Sequence, residues 1–370
     1  MVHGGHDEDP DRTELLATRA GTVAADDART LPSGARIGRY RIVELLGRGG
    51  MGEVYRAAQL APVRRTVALK LLRGRRLDAR RLAAFEVERQ MLAQMRHPAI
   101  AQVYDADTTP AGEPWFAMEF IAGSTLTGYC EARALPLAQR LRLFIGICEG
   151  VQHAHQKGVV HRDLKPGNLL VDEVDGRPHP KVIDFGIATA AGGGEREVAG
   201  TPDYMSPEQA AGEPGMVDTR SDVWSLGVVL FELLTGHRPL AAGETLAGDA
   251  RTLALPSRRL DTLPPEEGRR LARARGVSVP RMRRLLRHEL DWVVARAMAH
   301  ERSARYPSAA ALADDIQRFL DGRALSAVPA TRRYVAGKFM RRHRAGLAAT
   351  AVAVAAMVGG LALSLHGLLD

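Results

Sequence analysis

The amino-acid sequence predicts an α+β fold of two lobes, a small β-rich lobe followed by a larger α-rich lobe, with one transmembrane helix near the C-terminal end. Three observations lead to this prediction. Short strand-like runs dominate residues 40–120 of the 370-residue chain, and mainly helical spacing of apolar residues follows from 126 to about 320. Residues 346–365 then carry no charge. The change of pattern between the lobes predicts a cleft, where ligands commonly bind.

Residues 1–36 are predicted to form a disordered, acidic leader. Residues 1–34 hold seven acidic side chains against three arginines, show no apolar periodicity and contain several Gly and Pro breaks. The chain has a formal net charge of +8, but residues 326–345 alone contain six Lys and Arg and no acid. A basic block directly before an apolar run indicates a membrane surface, so we predict no nucleic-acid partner.

Residues 37–120 form the predicted β-rich lobe. Five short runs rich in β-branched and aromatic residues are bounded by turn residues, namely YRIVELLG, GEVYRAA, TVALKLL, IAQVYDA and PWFAMEF. Between the third and fourth runs, residues 79–95 instead place Leu82, Phe85, Leu92 and Met95 near helical spacing. We therefore expect a strand-rich lobe that carries one helix.

Residues 123–322 form the predicted α-rich lobe. Its helical pattern is interrupted by a pair of short strands near residues 169–171 and 181–183. Residues 241–287 are polar and interrupted by prolines, so we expect a surface insertion there. The arginines from Arg269 to Arg287 alternate with Leu and Ala, which is typical of a solvated helix face.

The C-terminal part is predicted to contain a basic juxtamembrane linker (323–345), a transmembrane helix (346–366) and a short extracytoplasmic tail (367–370). Twenty uncharged residues, 346–365, are about the length that crosses ~30 Å of hydrocarbon as a helix. Arg341, Arg342, His343 and Arg344 precede them, whereas only Asp370 is charged beyond them. This asymmetry predicts a single-pass protein of the inner (plasma) membrane with residues 1–345 in the cytoplasm. Because the segment is rich in alanine, a buried helix of a soluble protein is the alternative.

Three glycines lie between the first two strand-like runs. In the sequence GRGGMGEV, Gly47, Gly49 and Gly52 are spaced so that backbone N–H groups can approach phosphates without a Cβ in between. A tight hairpin is the structural alternative. A dinucleotide-binding fingerprint would need a helix after the glycines, whereas GEVYRAA is strand-like. The pattern therefore disfavours a nicotinamide or flavin enzyme.

Lys70 ends the apolar strand VALK, and Glu88 follows eighteen residues later in the predicted helix. Such a lysine is often only the solvent-facing residue of a strand. An ion pair with Glu88 would instead hold its ammonium group over the phosphates of a nucleotide.

The segment HRDLKPGN (161–168) concentrates polar side chains in a Pro-Gly turn, which cannot pack as core. The segment DFG (184–186) follows, with its acid twenty-one residues after Asp163. Asp163, Asn168 and Asp184 supply one base that can orient a hydroxyl and two oxygen ligands for Mg²⁺. This set suits phosphoryl transfer, in which catalysis is mostly positioning and charge neutralisation.

With these motifs in order, the chain resembles the eukaryotic-like (Hanks-type) serine/threonine protein kinases of bacteria. The resemblance covers residues 38–322, and the motifs occur at the spacing of that family. It implies the two-lobed protein kinase fold over residues 37–322, with an N-lobe (37–120) and a C-lobe (123–322).

The resemblance also implies roles for individual residues. ATP would be bound by Gly47, Gly49, Gly52, Val54, Ala68, Lys70, Met118, Glu119 and Ile121, with Met118 as the gatekeeper of the hinge. The catalytic residues would be Asp163 as the base, Lys165 at the transferred phosphate, and the pair Lys70 and Glu88. Asn168 and Asp184 would bind Mg²⁺, with Mn²⁺ as an alternative metal. Glu208 in SPE would pair with Arg305, and Asp222 would brace the catalytic loop from a buried helix.

Residues 184–208 correspond to the activation segment of such kinases, and the run AAGGGEREVAG (190–200) within it has no hydroxyl side chain. We expect Thr201 to contact Asp163 and Lys165 and not to act as a regulatory phosphorylation site. In this family Arg162 usually meets an activation-loop phosphate. We expect Glu195 or Glu197 to offer Arg162 a permanent negative charge instead, whereas a controlling phosphate on Thr189 would contradict this.

The predicted function is transfer of the ATP γ-phosphate to Ser or Thr hydroxyls of proteins, including autophosphorylation, in bacterial signalling. Lys165 and the sequence GTP (200–202) favour Ser/Thr over Tyr acceptors. One alternative is a catalytically weak pseudokinase that serves as a membrane signalling scaffold, but Lys70, Asp163, Asn168 and Asp184 are all present. A small-molecule phosphotransferase of the aminoglycoside kinase type would lack the GTP and SPE segments. The predicted partners are protein substrates, the lipid bilayer and a second copy of the chain in a homodimer.

Overall fold

The computed structural model describes residues 30–49, 52–72, 79–185, 201–212, 215–239 and 255–343, and single residues or short stretches between 346 and 360. The described residues divide into two compact units. The first unit, here called the N-lobe, contains the described residues up to Ala93 together with Gln102–Phe120. The second, the C-lobe, contains Gln94–Ala101 and the described residues from Ile121 onward.

The N-lobe is an antiparallel sheet of six strands with one helix. The strand order is β1-β2-β3-β4-β6-β5. The elements are β1 (Arg36–Ile37), β2 (Tyr40–Gly49), β3 (Gly52–Gln59), β4 (Arg65–Leu71), α1 (Ala79–Gln94), β5 (Val103–Thr108) and β6 (Pro114–Glu119). The five predicted strands and the single helix between the third and fourth of them are therefore confirmed.

The two faces of this sheet have different roles. Because side chains alternate along a strand, Tyr55, Leu69 and Trp115 point to one face and form the centre of a buried apolar cluster. On the other face Phe116 packs edge-on against Phe85 of α1, with ring centroids 5.2 Å apart. The sheet therefore carries an apolar core on one face, and α1 packs on the other.

The predicted leader (1–36) extends a few residues too far. Leu31 and Ala35 pack against the apolar cluster of the sheet, and the backbone N–H of Leu31 donates to the Tyr55 hydroxyl at 3.0 Å. The first strand, Arg36–Ile37, also begins inside the predicted leader. These residues belong to the N-lobe because they bury apolar side chains there, and residues 1–29 lie outside the described residues.

The C-lobe is mainly helical, with one small antiparallel sheet of order β7-β8-β9. Its elements are β7 (Ser124–Thr125), α2 (Leu126–Ala132), α3 (Leu137–Gln156), β8 (Leu169–Val174), β9 (Arg177–Val182), α4 (Pro207–Ala210), α5 (Thr219–Thr235), α6 (Pro256–Thr262), α7 (Pro265–Ala274), α8 (Val279–Leu285), a π-helical turn (Leu286–Leu290), α9 (Asp291–Ala297), α10 (Ala309–Leu320) and α11 (Arg332–Arg342). The predicted strand pair and helical pattern are confirmed.

Helix α5 forms the centre of the C-lobe. The Asp218 side chain caps its first turn by accepting the Arg220 N–H at 2.7 Å, and Gly236 ends it in a left-handed conformation (φ 72°). Nearly every residue between is buried, including Trp224 and Asp222. A buried acid in the first turn of an apolar helix requires polar partners, and the backbone N–H groups of His161 and Arg162 supply them.

Residues 256–290 correct the predicted surface insertion over 241–287. Helices α6 to α8 and the π-helical turn bury Leu260, Leu271 and Met282, so this part belongs to the C-lobe core. Arg275, predicted on a solvated face, is buried, and its Nη2 lies 2.9 Å from Glu131 Oε1. Burial and the nearby charge of Arg140 lower the pKa of Arg275 to about 10. Residues 241–254 lie outside the described residues.

The predicted juxtamembrane linker (323–345) is not a free linker over its first half. Leu325 is buried, and the backbone and hydroxyl of Ser326 donate to the carboxylate of Asp315 at 2.6 and 2.9 Å. Helix α11 follows directly, so the chain stays folded onto the C-lobe after α10.

No helix in the part of the chain that the structure describes is long and apolar enough to cross a membrane. Ten of the 21 residues of the predicted span (346–366) and all of residues 367–370 lie outside that part.

Candidate active site

Four of the predicted ATP-binding residues share one face of the N-lobe sheet. Val54 lies opposite Lys70 in the β3–β4 pairing, and Ala68 lies opposite Met118 in the β4–β6 pairing. Directly opposed residues of antiparallel strands point to the same side, and this side is the one away from the apolar cluster of Tyr55 and its neighbours. Val54 and Ala68 are half-buried, whereas Lys70 and Met118 are buried. The register alone therefore brings these side chains together.

The three glycines of the β2–β3 hairpin have two different roles. A Cβ added at Gly47 or Gly49 would meet nothing within 4 Å, so the backbone there is open to a ligand. A Cβ at Gly52 would lie 2.1 Å from the carbonyl oxygen of Leu71, and its φ is +138°. Gly52 is therefore required by the packing of β3 on β4, a reason that the phosphate-binding motif alone does not supply.

The remaining predicted residues of this group are Glu88, Glu119 and Ile121. Glu88 lies within α1, but its side chain is outside the described part of the structure, so its pairing with Lys70 stays a prediction. Glu119 ends β6, where its Oε2 accepts the Gln102 N–H at 3.1 Å. Ile121 is buried in the C-lobe.

In the C-lobe, the Asp163 carboxylate contacts two other predicted site residues, the catalytic Lys165 and Thr201 of the activation segment. Its Oδ1 accepts hydrogen bonds from both the backbone N–H and the hydroxyl of Thr201, at 2.9 and 3.0 Å. Its Oδ2 lies 2.9 Å from the Lys165 ammonium group, which also donates to the Thr201 hydroxyl at 2.7 Å. The expected contacts of Thr201 with Asp163 and Lys165 are therefore present. A phosphate on Thr201 would place negative charge directly beside the Asp163 carboxylate.

Asn168 and Asp184 are the predicted metal ligands. The amide nitrogen of Asn168 donates to the Asp163 carbonyl at 2.7 Å, so the amide oxygen is the atom of this side chain that a metal ion would bind. Asp184 has a left-handed backbone (φ 63°) one residue after Ile183, whose N–H bonds to the Asn168 carbonyl at 3.0 Å. Among the described residues, no cluster of three or more His, Cys, Asp and Glu forms a metal cage. An amide and a carboxylate fit Mg²⁺, which is usually held by one or two protein oxygens with phosphate and water as the other ligands.

The loop that carries Asp163 is held by the buried Asp222 of α5. Its two carboxylate oxygens accept the backbone N–H groups of His161 and Arg162, both at 2.8 Å, and Oδ2 also lies 2.7 Å from His155 Nε2. Burial would raise the pKa of Asp222, but the hydrogen bonds from His155 and His161 hold it below its usual value. These bonds fix Arg162 in a left-handed conformation (φ 68°), which is costly for a residue with a side chain.

The His161 ring links this loop to the residues that follow β9. Its Nε2 lies 2.9 Å from the Ile183 carbonyl, and its ring packs against buried Phe185 with centroids 4.8 Å apart. The loop and the Asp184 segment are therefore held in one fixed arrangement. Gly186 lies outside the described residues.

The segment after Thr201 is fixed by an internal ion pair. Both guanidinium Nη atoms of Arg305 bond to the Glu208 carboxylate, at 2.7 and 2.8 Å, with Arg305 fully buried. This is the pairing that the motif SPE predicts. Sequence reasoning missed Gln209, whose amide donates to the Arg162 carbonyl at 2.7 Å and so ties α4 to the catalytic loop. The capping-box pattern SPEQ is the signal that could have found it.

The regulatory candidates Thr189, Glu195 and Glu197 lie outside the described residues, with the whole run 186–200.

Comparison with known proteins agrees with this geometry. Residues 40–271 match the family described as "Protein kinase domain", so the chain belongs to the protein kinase family. It is 36% identical over 295 residues to the serine/threonine-protein kinase PknB of Mycobacterium tuberculosis and 37% identical over 298 residues to PknB of Mycolicibacterium smegmatis. Each alignment covers 77% of this chain but only 43% and 44% of the relative, so the chain spans less than half the length of these proteins.

The fold agrees with a solved structure as well. The crystal structure of the Mycobacterium tuberculosis PknI kinase domain superposes with a TM-score of 0.56 at 27% identity, covering 78% of this chain and 100% of that one. The described N-lobe sheet and helical C-lobe are thus those of the two-lobed protein kinase fold, in its bacterial Hanks-type form.

Proposed function

We propose that this chain is a serine/threonine protein kinase that transfers the γ-phosphate of ATP to hydroxyl groups of proteins, its own chain included. The observation that carries the proposal is the Asp163 carboxylate, which binds Lys165, Thr201 and Asn168 at once. Such an arrangement holds a base in a fixed position beside a cation, which is what phosphoryl transfer requires. A scaffold without activity would have no need to keep all four groups.

Each of these residues has a separate task. Asp163 accepts the proton of the acceptor hydroxyl as it attacks, and the backbone bonds of Asp222 keep the Asp163 loop in place. Lys165 lies beside Asp163, where it neutralises charge on the transferred phosphoryl group. Thr201 holds both side chains together, and its place before the SPE segment favours Ser and Thr over Tyr as acceptors.

ATP and a divalent metal, Mg²⁺ with Mn²⁺ as the alternative, would be the cofactors. Asn168 and Asp184 would hold the metal, which neutralises phosphate charge when it is bound. In the N-lobe the open backbone at Gly47 and Gly49 would cover the phosphates, with Lys70 as their cation.

Incorporation of radiolabelled phosphate from ATP into the chain and into a generic basic protein tests this function. The full chain should incorporate label with Mg²⁺, and Asp163→Asn should reduce the rate by at least about a thousandfold, as expected for loss of a general base together with its charge. Asp175→Asn is a matched control because Asp175 is exposed in the β8–β9 turn and its left-handed backbone accepts Asn. Equal activity of Asp163→Asn and wild type would refute the proposal.

We also propose that residues 346–366 anchor the kinase in the inner membrane as a single span, with the kinase domain on the cytoplasmic side. Support comes from the uncharged run 346–365 and from the arginines that precede it. Val354→Arg and Met357→Arg together should abolish resistance to alkaline carbonate extraction, since each arginine costs about 3 kcal/mol at the centre of a span. Val174→Arg, at an exposed position of the C-lobe, is the control, and an extractable wild-type chain would refute the anchor.

A further inference from the structure

Helix α11 has two different faces. Tyr334, Gly337 and Lys338 are partly buried against the C-lobe, whereas Val335, Phe339 and Met340 are 44%, 54% and 60% exposed. With 3.6 residues per turn, these two sets lie on opposite sides of the helix. The outer face therefore exposes apolar side chains that a helix packed on a globular lobe normally turns inward.

The inner face is fastened to the C-lobe by specific contacts. Lys338 forms an ion pair with Glu289, and both side chains are largely buried. The Tyr334 hydroxyl accepts the backbone N–H of Leu325 at 3.2 Å, and Thr331 caps the helix by accepting the Tyr334 N–H at 3.3 Å. These contacts fix which side of the helix points away from the kinase domain.

The outer face is also strongly basic. Arg332, Arg333 and Arg342 are exposed around the apolar residues, and residues 326–345 contain no acid. Apolar side chains flanked by arginines are the composition of a helix that lies in the interface of an anionic bilayer, with its apolar residues among the acyl chains and its arginines at the headgroups.

A second copy of this chain is a poorer occupant of the same face. A two-fold interface brings a surface against itself, and this surface would then oppose arginines with arginines and offer no acid to pair with them. An anionic lipid surface supplies the missing negative charge everywhere along the helix.

We propose that the outer face of α11 lies in the headgroup region of an anionic lipid membrane and that this contact orients the kinase domain on the bilayer. The inference deepens the proposed membrane anchoring, because the predicted span begins four residues after Arg342. The outer face of α11 would be a second contact with the same bilayer, separate from the span. The lipids that this face would bind are anionic phospholipids.

Spin labels at two positions test this contact in the full chain reconstituted into vesicles. Phe339→Cys places the label on the outer face of α11, and Val174→Cys places it at the end of strand β8 in the C-lobe, at a position of similar exposure. The native Cys130 and Cys148 are fully buried and do not compete for the reagent in the folded protein. Collisions with oxygen, which concentrates in lipid, and with a water-soluble nickel chelate report the surroundings of each label.

In vesicles that contain phosphatidylglycerol, we expect the label at 339 to show raised oxygen and lowered nickel accessibility compared with the label at 174. In vesicles of phosphatidylcholine alone the lipid-exposed fraction should fall. Replacing Arg332, Arg333 and Arg342 with Gln should also lower the lipid-exposed fraction of the label at 339 in anionic vesicles. For each arginine replaced, the ratio of lipid-exposed to water-exposed label should fall by about fivefold.

Equal nickel accessibility at 339 and 174 in anionic vesicles would overturn the proposal. Protection of 339 from both reagents would also overturn it, because it would place a protein, such as a second copy, on this face. An unchanged lipid signal in phosphatidylcholine would overturn the assignment to anionic lipid. Carbonate extraction of the same vesicles tests the span separately, so an extractable chain with a lipid signal at 339 refutes only the span.

Discussion

The ion pair between Glu208 and Arg305 should contribute most of its stabilisation only while Glu208 is ionised. Arg305 is fully buried, and besides the carboxylate it bonds to the carbonyl oxygens of Ala299 and His300 at 2.7 and 3.1 Å. Glu208 accepts a further hydrogen bond from the Ser221 hydroxyl at 2.6 Å. The change Glu208→Gln keeps the shape of the side chain but removes the charge that balances the buried guanidinium group.

The magnitude follows from the pKa of Glu208. Burial would raise this pKa, but the hydrogen bonds from Arg305 and Ser221 outweigh burial and lower it from 4.5 to about 2. A shift of this size corresponds to about 3 kcal/mol of stability, at about 1.4 kcal/mol per pKa unit. Because the folded pKa is depressed, the stabilisation is fully present above the unfolded pKa and is lost as the pH falls towards about 2.

Urea unfolding, followed by tryptophan fluorescence, measures this contribution, since one of the three tryptophans, Trp224, has its ring 5.0 Å from the Arg305 guanidinium carbon. At about pH 7 we expect Glu208→Gln to unfold with about 3 kcal/mol less free energy than wild type, and at about pH 3 the difference should be roughly halved. Glu301→Gln, which alters an exposed glutamate nearby, should change the free energy of unfolding by less than about 0.5 kcal/mol.

Two results would refute the reasoning. A Glu208→Gln protein as stable as wild type at neutral pH would mean that the buried pair contributes nothing beyond its shape. A difference of the same size at both pH values would mean that the stabilisation does not depend on the charge of Glu208.

Three further predictions concern the active site and its control. Asp222→Asn should lower kcat by at least about tenfold with little change in KM for ATP, because an amide cannot accept from both backbone N–H groups and from His155. Steady-state kinetics would show it, and a change confined to KM would contradict it. Gly52→Ala should destabilise the N-lobe by about 2 kcal/mol or more, whereas Gly49→Ala should be nearly neutral in the same thermal unfolding experiment, since only the first meets the Leu71 carbonyl. Mass spectrometry of the active enzyme should find no stoichiometric phosphate on Thr189, and replacing Glu195 and Glu197 with Gln should lower activity; a controlling phosphate on Thr189 would overturn this.

Local patterns in the sequence predicted the secondary-structure elements and the parts of the site that lie within short motifs. Strand alternation located β2 to β6, and the motifs located Asp163, Lys165 and Asn168 within one short loop. The contact of Thr201 with Asp163 and the pairing of Glu208 with Arg305 were also predicted, because the resemblance carries long-range pairings that spacing alone does not.

Sequence patterns did not predict interactions between residues far apart in sequence unless those residues belonged to a recognised motif. Arg275 was taken for a solvated arginine, yet its partner Glu131 is 144 residues away, and a buried arginine looks like an exposed one in the sequence. The docking of residues after α10 was missed for the same reason. In the sequence, Asp315 cannot be told from an exposed acidic residue of a helix. The structure shows that it is fully buried and that its carboxylate accepts a hydrogen bond from the backbone N–H of Ser326.

If residues 346–366 form the proposed span, the docking of this segment would set how far the kinase domain can move from the bilayer. Contacts with Asp315 and Glu289 hold the chain as far as Lys338, so seven residues (339–345) separate the last docked side chain from the proposed span. Four of these seven residues belong to α11, and seven residues in a helix reach about 10 Å. A kinase domain on so short a tether would meet proteins of the same membrane at high effective concentration and would not reach targets deeper in the cytoplasm. The distance of a protein from the membrane would thus limit whether the kinase can phosphorylate it, whatever sequence surrounds its Ser or Thr residues.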